Sequence, residues 1–221
     1  MAIPVLYAEG MTDATAAPRR LTAKGQATKE RILRVAADLI LKHGVGGTGV
    51  EDVRRAAGVS GSQMTHYFQD KRSLINDVIA WQLATTLTEH SDPVLHGFDS
   101  FAAFDLWARV IVERQRERAC RGGCTFGSLA GQLVESDEAT RADLAEGFDR
   151  WLTIIRAGLL AMRERGDLRP DADPEALAQA LLGAMQGGIL LTQTTRRTEP
   201  LEASLAAALA YLRSFAATDP A

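Results

Sequence analysis

Apolar residues recur at helical spacing along most of the chain, and the breaks between these runs are short and rich in Gly, Ser and Asp. From Thr28, positions Ile32, Val35, Ala36, Leu39 and Ile40 share one face, which predicts a helix that reaches His43 and is stopped by Gly44. Thr48-Gly-Val-Glu51 has the spacing of a capping box, with Thr48 as cap and Glu51 reaching back. The short helix that follows buries Val50, Val53 and Ala57 and ends at Gly58. A second box, Ser60-Gly-Ser-Gln63, comes immediately afterwards and opens a helix with only Met64 and Phe68 to bury. Asp70 then caps a helix whose inward residues are Leu74 and Val78.

Beyond Trp81 the pattern predicts a larger helical body. A connecting helix runs to His90 and is broken by Ser91-Asp-Pro93; another covers Phe101 to Arg118. The joint Cys120-Arg-Gly-Gly-Cys124 precedes a helix near Thr125–Glu135. Ser136 or Asp137 caps a long helix closed by Gly166, Asp173-Pro174 starts the next, and Pro200 opens a last one ending near Ala217.

With 46% of its 221 residues hydrophobic and 24% charged, the chain has the make-up of a globular protein of one or two domains. Alternating β-branched runs are almost lacking, so the expected fold class is all-α. The predicted organisation is a flexible N-terminal tail over 1–23, a three-helix module over 24–72 and a larger helical domain over 73–221. No apolar run approaches the roughly 20 residues of a membrane span. The N-terminal stretch lacks the basic-then-apolar order of a secretory signal. Two cysteines make no disulfide framework, so a cytoplasmic, reducing setting is expected.

A net charge of −3 argues at first against a nucleic-acid partner, but its distribution reverses that inference. Residues 19–72 hold 11 Lys and Arg against 5 Asp and Glu, a net of +6. A basic module on an acidic body is what a phosphate-facing protein requires. The helix after Ser60 buries so little that its polar face needs another explanation, and a DNA major groove accepts a helix of that size. Gly58 and Val59 then form the tight joint of a helix-turn-helix.

Thr48, Val53, Ala57-Gly-Val-Ser60, Met64, Tyr67-Phe68, Lys71 and Leu74 together make a pattern that resembles the tetracycline-repressor (TetR) family of transcriptional regulators over residues 28–78. One departure is Thr65, where the family often has Tyr after the apolar anchor. The resemblance implies a homodimer on a near-palindromic operator, with a small molecule in the C-terminal domain changing the spacing of the two DNA-binding heads. Arg121-Gly-Gly-Cys124-Thr-Phe-Gly127-Ser-Leu129 looks like a segment of one subgroup, some members of which respond to reactive electrophiles.

The candidate DNA contacts are Thr48, Ser60, Gly61, Ser62, Gln63, Thr65, His66, Tyr67 and Lys71. Gln63 can pair in two places with adenine or serve the capping box. Gly61 permits close backbone approach and Ser62 serves base or phosphate. Tyr67, Lys71 and Thr48 are phosphate candidates, His66 reaches a base or is solvated, and Arg19, Arg20 and Lys24 form a basic arm or an ordinary basic tail.

Trp81, Phe104, Trp107, Phe126, Trp151 and Met185 are candidate effector-pocket walls that imply a small, mostly apolar ligand, with plain core as the alternative. Cys120 and Cys124 have Arg116, Arg118 and Arg121 nearby, which favours thiolate and an electrophile or redox switch; buried, they act as small hydrophobes. His90 and His96 have no metal-ligand spacing with them, so no metal and no cofactor are expected. In the last two helices, Ala176, Leu177, Ala180, Leu181, Ala184, Met185 and Gly188, with Leu205, Leu209, Leu212 and Phe215, form either a four-helix dimer interface or internal core. A thiol enzyme lacks a Cys-x-x-Cys spacing and a general base here, so no catalysis is expected. A helical small-molecule carrier without DNA function is the remaining alternative.

Overall fold

The computed structural model describes residues 21–90, 98–135 and 138–217. These form nine helices: α1 (Ala23–His43), α2 (Val50–Ala57), α3 (Gly61–Tyr67), α4 (Lys71–His90), α5 (Phe101–Glu117), α6 (Thr125–Leu133), α7 (Glu138–Arg165), α8 (Pro174–Thr195) and α9 (Glu199–Arg213). The all-α expectation holds, and among the described residues the only β-type pairing is an isolated bridge between Leu168 and Ala216. No described helix is long and apolar enough to cross a membrane. The tail through residue 20, the break at Ser91-Asp-Pro93 and the caps Ser136 and Asp137 lie outside the described residues, as do Arg19, Arg20 and His96.

Most predicted boundaries hold to within a turn, and the exceptions have local causes. α1 begins five residues before Thr28, because the Thr22 hydroxyl accepts from the Gly25 N–H at 3.2 Å and caps an earlier turn. Lys24 therefore lies in the first turn of α1 rather than in an arm. The first capping box is displaced by one residue: Gly49 is the cap of α2, and its N–H donates to Asp52 Oδ2 at 3.2 Å. Thr48 turns its hydroxyl back to the Gly44 carbonyl at 2.8 Å, and Glu51 pairs with Arg54. Asp70 and Ser73 cap α4 reciprocally, with Ser73 N–H donating to Asp70 Oδ1 at 2.7 Å and Asp70 N–H to Ser73 Oγ at 3.1 Å. Asp173 caps α8, and Pro174 occupies its first turn, where a missing N–H costs nothing.

Two buried clusters organise the molecule. The first joins α1–α4 through Ile32, Ala36, Ile40, Val53, Met64, Phe68 and Val78, and it continues into Phe126, Leu129 and Leu133 of α6 and Leu144 of α7. The second fills the bundle of α5, α7, α8 and α9 around Phe104, Trp107, Ile155, Leu159, Leu181 and Leu205. α6 is thus C-terminal in sequence but packed largely with the DNA-binding module.

The apolar stripes of α8 and α9 resolve as core. Leu177, Leu181, Met185, Leu205, Leu209 and Leu212 are all buried within the protomer. Gly188 allows the close approach of these two helices, since a Cβ there would stand 2.9 Å from the Leu201 Cα. The interface reading of those stripes is corrected accordingly. The opposite faces are the free ones: Gly183, Gly187, Leu190 and Leu191 on α8, and Ala203, Ala207 and Tyr211 on α9. Leu190, Leu191 and Tyr211 are 63%, 54% and 47% exposed, large values for apolar and aromatic side chains.

Candidate nucleic-acid interface and effector cavity

The α2–α3 joint is built from backbone geometry and one arginine. Gly58 adopts φ +63°, ψ +41°, the left-handed conformation that ends α2 and that glycine enters without strain. Val59 is buried beneath the turn. Arg54 forks across the joint, donating from Nη1 to the Val59 carbonyl at 3.0 Å and from Nε and Nη2 to the Glu51 carboxylate at 2.7 and 2.5 Å. The hydrogen bond from Arg54 holds the Glu51 carboxyl below its ordinary range. Sequence spacing did not single out Arg54, although an (i, i+3) acid–arginine pair beside a left-handed Gly was there to be read.

α3 presents its first turn outward. Ser60 Oγ accepts from Gln63 N–H at 3.1 Å, and Gln63 Oε1 accepts from Ser60 N–H at 2.9 Å, so the second capping box forms as expected. Ser60 and Ser62 hydroxyls lie 3.0 Å apart, and Thr65 Oγ1 donates back to the Gly61 and Ser62 carbonyls. Met64 and Phe68 are the buried anchors, while Gly61, Ser62, Gln63, Thr65 and His66 are exposed. Tyr67 is half-buried, its ring edge-on to His66 at 5.0 Å and its hydroxyl over the first turn of α1 beside Gly25.

Two phosphate candidates stand differently from expectation. Thr48 is only 4% exposed and its hydroxyl donates to the Gly44 carbonyl, so it positions the α1–α2 loop. Lys71 donates from Nζ to the Val45 carbonyl at 2.7 Å. The start of α4 already carries the Asp70 carboxylate, held below its ordinary range first by the Ser73 backbone N–H. The N–H of the same residue, Val45, donates to Gln132 Oε1 of α6 at 2.8 Å. The α1–α2 loop is therefore gripped by the DNA-binding module through Lys71 and by the C-terminal body through Gln132.

The C-terminal bundle holds a cavity of about 120 Å³ bounded by α4, α5, α7, α8 and the start of α6. Of the six expected wall residues, Trp151 and Met185 line it. Phe104 and Trp107 are instead fully buried with Phe98 in a cluster of edge-on and tilted rings, centroids 5.4–6.4 Å apart. Phe126 packs against Phe148 at 4.9 Å, and Trp81 lies against the N-terminal cluster. The aromatic basis for a mostly apolar effector thus turns out to be core. The cavity gains walls that were not anticipated: Arg114 and Gln115 of α5, Arg118 at its C-terminal cap, and Gln82 of α4. Gln115 carried a signal, because it continues the buried register Trp107, Ala108, Ile111, Val112 as a polar residue.

The two cysteines are both free thiols in different surroundings. Cys120 is buried at φ +55°, its carbonyl accepting from Arg196 Nη1 at 2.8 Å, which matches the small-hydrophobe reading. Cys124 is half-buried and is itself the cap of α6, its Sγ accepting from Gly127 N–H at 3.4 Å and from Gln186 Nε2 at 3.5 Å. It borders both the inner cavity and an outer cleft of about 470 Å³ between α6, α7 and α8. No metal-holding group of His, Cys, Asp and Glu occurs among the described residues.

A short, anchored helix with an outward polar face, on a left-handed glycine joint at the basic end of an all-α chain, defines a helix-turn-helix DNA-binding protein. Residues 32–78 match the model for bacterial regulatory proteins of the tetR family, and residues 102–208 match that for a tetracyclin repressor-like C-terminal domain. The chain is similar to the transcriptional repressor DhaR of Mycobacterium sp. (strain GP1), 23% identical over 79% of this chain and 86% of the relative. In structure it is similar to a regulatory protein TetR from Rhodobacter sphaeroides, with a TM-score of 0.74 at 22% identity over 83% and 98% of the two chains. It is also similar to the reduced form of E. coli NemR, with a TM-score of 0.74 at 21% identity over 87% and 99%. The chain belongs to the TetR family of transcriptional regulators.

Proposed function

We propose that this chain is a repressor that binds a near-palindromic operator as a homodimer and is released from it by a small molecule. The observation that carries the operator reading is the first turn of α3. Its polar residues Gly61, Ser62, Gln63, Thr65 and His66 are exposed on a helix whose only buried side chain is Met64. Base reading falls to Ser62, Gln63 and His66, and phosphate contact to Tyr67. Gln63 Oε1 accepts one bond from Ser60 and keeps a second lone pair, and its amide hydrogens can donate to a base acceptor. Lys71 keeps two ammonium hydrogens beyond the one given to Val45, so it serves both loop and phosphate.

Dimerisation is assigned to the outward faces of α8 and α9, where Leu190, Leu191 and Tyr211 rise from a surface of glycines and alanines that lets partner helices come close. The link from cavity to operator is α6. Its N-terminus, at Cys124 and Thr125, borders the cavity, and Gln132 in its last turn holds the Val45 peptide. A ligand that shifts α6 moves the α1–α2 loop, and effector and operator then weaken each other by the same factor. The deciding experiment is a footprint of the full-length protein on DNA flanking its own gene. The expected result is two protected half-sites about one helical turn, roughly 34–36 Å, apart. A single half-site, or no protection above that on random DNA, removes the reading.

A second reading concerns Cys124, because its sulfur sits at the start of α6, stays partly exposed and borders both the inner cavity and the outer cleft, where an electrophile can reach it. It makes Cys124, and not Cys120, the electrophile-responsive thiol. N-ethylmaleimide should release operator from the wild type and leave Cys124→Ser bound; release from both ends it.

A further inference from the structure

We propose that the cavity bounded by α4, α5, α7, α8 and the start of α6 takes a small uncharged alcohol, whose hydroxyl donates to Gln115 Oε1 and whose hydrocarbon part lies against Ile111, Trp151, Met185 and Ile189. Gln115 is the group that selects the ligand. It is 4% exposed, it lines the cavity, and its Oε1 has no hydrogen-bond partner among the described residues. A buried carbonyl oxygen is costly to leave unmet, and whatever meets it must bring a hydrogen-bond donor. Packing does not call for an amide at this position. Ile111, one turn earlier, lines the same wall, and Trp107, Ala108 and Val112 fill the same buried face of α5 with apolar side chains.

The need for a donor and the charges around the cavity narrow the class. A carboxylate only accepts hydrogen bonds, so it leaves Gln115 Oε1 unanswered. An ammonium has donors, but no Asp or Glu lines the cavity, and Arg114 and Arg118 on its border are themselves cationic. An unpaired charge is expensive to bury. A hydrocarbon or an ether brings no donor, and a primary amide brings more polar atoms than one unmet acceptor answers. A hydroxyl reproduces the bond that water offers a buried carbonyl, while its hydrocarbon part adds apolar burial that water lacks. At about 120 Å³ the cavity is somewhat smaller than the roughly 150 Å³ space that admits benzene in an apolar core, so the hydrocarbon part is about four or five carbons.

This ligand class rests on the cavity being the effector site, and the test separates the two. The full-length protein is titrated calorimetrically with n-butanol and n-pentanol, with their isomers methyl propyl ether and butyl methyl ether, and with butyramide, butyrate and butylammonium. At least one alcohol should bind saturably, about tenfold or more tighter than its isomeric ether and than the amide, acid and ammonium. Gln115→Leu and the unbranched Gln115→Met should each bring the alcohol-to-ether ratio down to about one, a change of preference that a merely structural glutamine would not produce. Either variant that folds is sufficient to read this ratio. Binding of no alcohol, equal binding of alcohol and ether, tighter binding of the amide, acid or ammonium, or a ratio unchanged in the variants overturns the proposal. An alcohol that binds as described yet does not release operator leaves the ligand class standing and removes the effector reading of the cavity.

Discussion

At the α2–α3 joint the polar side chains are bonded to one another or to nearby backbone: Ser60 with Gln63, Thr65 with Gly61 and Ser62, Arg54 with Glu51 and Val59. In the cavity of the C-terminal body the buried Gln115 amide oxygen has no such bond among the described residues. The exposed joint is the more tightly organised of the two, although water is available there to satisfy every group. A surface that reads base edges needs its donors and acceptors held in register before DNA arrives. In the proposed effector site, a group left unbonded in the empty state supplies the differential affinity by which a ligand would shift the equilibrium.

Substitutions of buried residues in the two regions put this contrast to the sharpest test. Phe68→Ala should destabilise the protein by about 3–5 kcal/mol in urea unfolding, because Phe68 is 3% exposed in the N-terminal cluster and its loss leaves a cavity. Gln115→Leu, at similar burial, should cost nothing or stabilise. Comparable destabilisation by both would mean that Gln115 is structural.

Next in size is Gly58→Ala. A Cβ at Gly58 meets nothing within 4 Å, so crowding makes no contribution. The left-handed φ of +63° alone should make the variant less stable by roughly 1–2 kcal/mol and weaken specific operator binding by misplacing α3. An unchanged unfolding midpoint would show that the joint tolerates another backbone shape and is less rigid than its hydrogen bonds indicate.

The success at this joint and the failure in the cavity have one physical origin. Gly58, Ser60, Gln63, Met64 and Phe68 act on neighbours within a turn or two, so spacing along the chain is spacing in the structure. The first box was misread by one residue because Glu51 and Asp52 are both acidic; the competing bond from Thr48 back to Gly44 decided which of them caps. The cavity joins residues from five helices and the loops beside them. Whether Phe104 or Trp151 faces it depends on helix rotations that each helix's own pattern leaves open. The same holds for α8, where one face packs α9 of its own chain and the other is left bare.

Gln132→Ala probes the connection between the regions and should have a smaller thermodynamic effect, about 1 kcal/mol for one hydrogen bond to the Val45 N–H. Its effect on function should exceed its effect on stability. Operator affinity without effector stays near wild type, and the factor by which effector weakens operator binding falls toward one. Lys71→Ala removes the grip on the carbonyl of the same residue, Val45, and also a cation near phosphate. It should therefore flatten the salt dependence of DNA binding, which Gln132→Ala leaves alone. Identical behaviour of the two variants would mean that Lys71 acts through the loop only.

The smallest expected effect is acid dependence at the joint. Hydrogen bonding from Arg54 lowers the folded-state pKa of Glu51 below its ordinary 4.5, and the backbone N–H of Ser73 lowers that of Asp70 below 3.8. A depressed carboxyl pKa contributes stability that is fully present above the unfolded-state value and disappears as pH falls through the folded-state value. Both groups are exposed, so the contribution is modest. Glu51→Gln should accordingly melt slightly below wild type at neutral pH, with the gap closing under acid conditions below that ordinary value, where the wild-type carboxyl is itself protonated. Pairs in the C-terminal body such as Glu138–Arg141 and Glu175–Arg156 titrate in the same direction and cancel in this comparison, since both proteins carry them. A gap that persists in acid would show that Arg54 is held at the joint by the Val59 carbonyl and packing, with the Glu51 charge incidental.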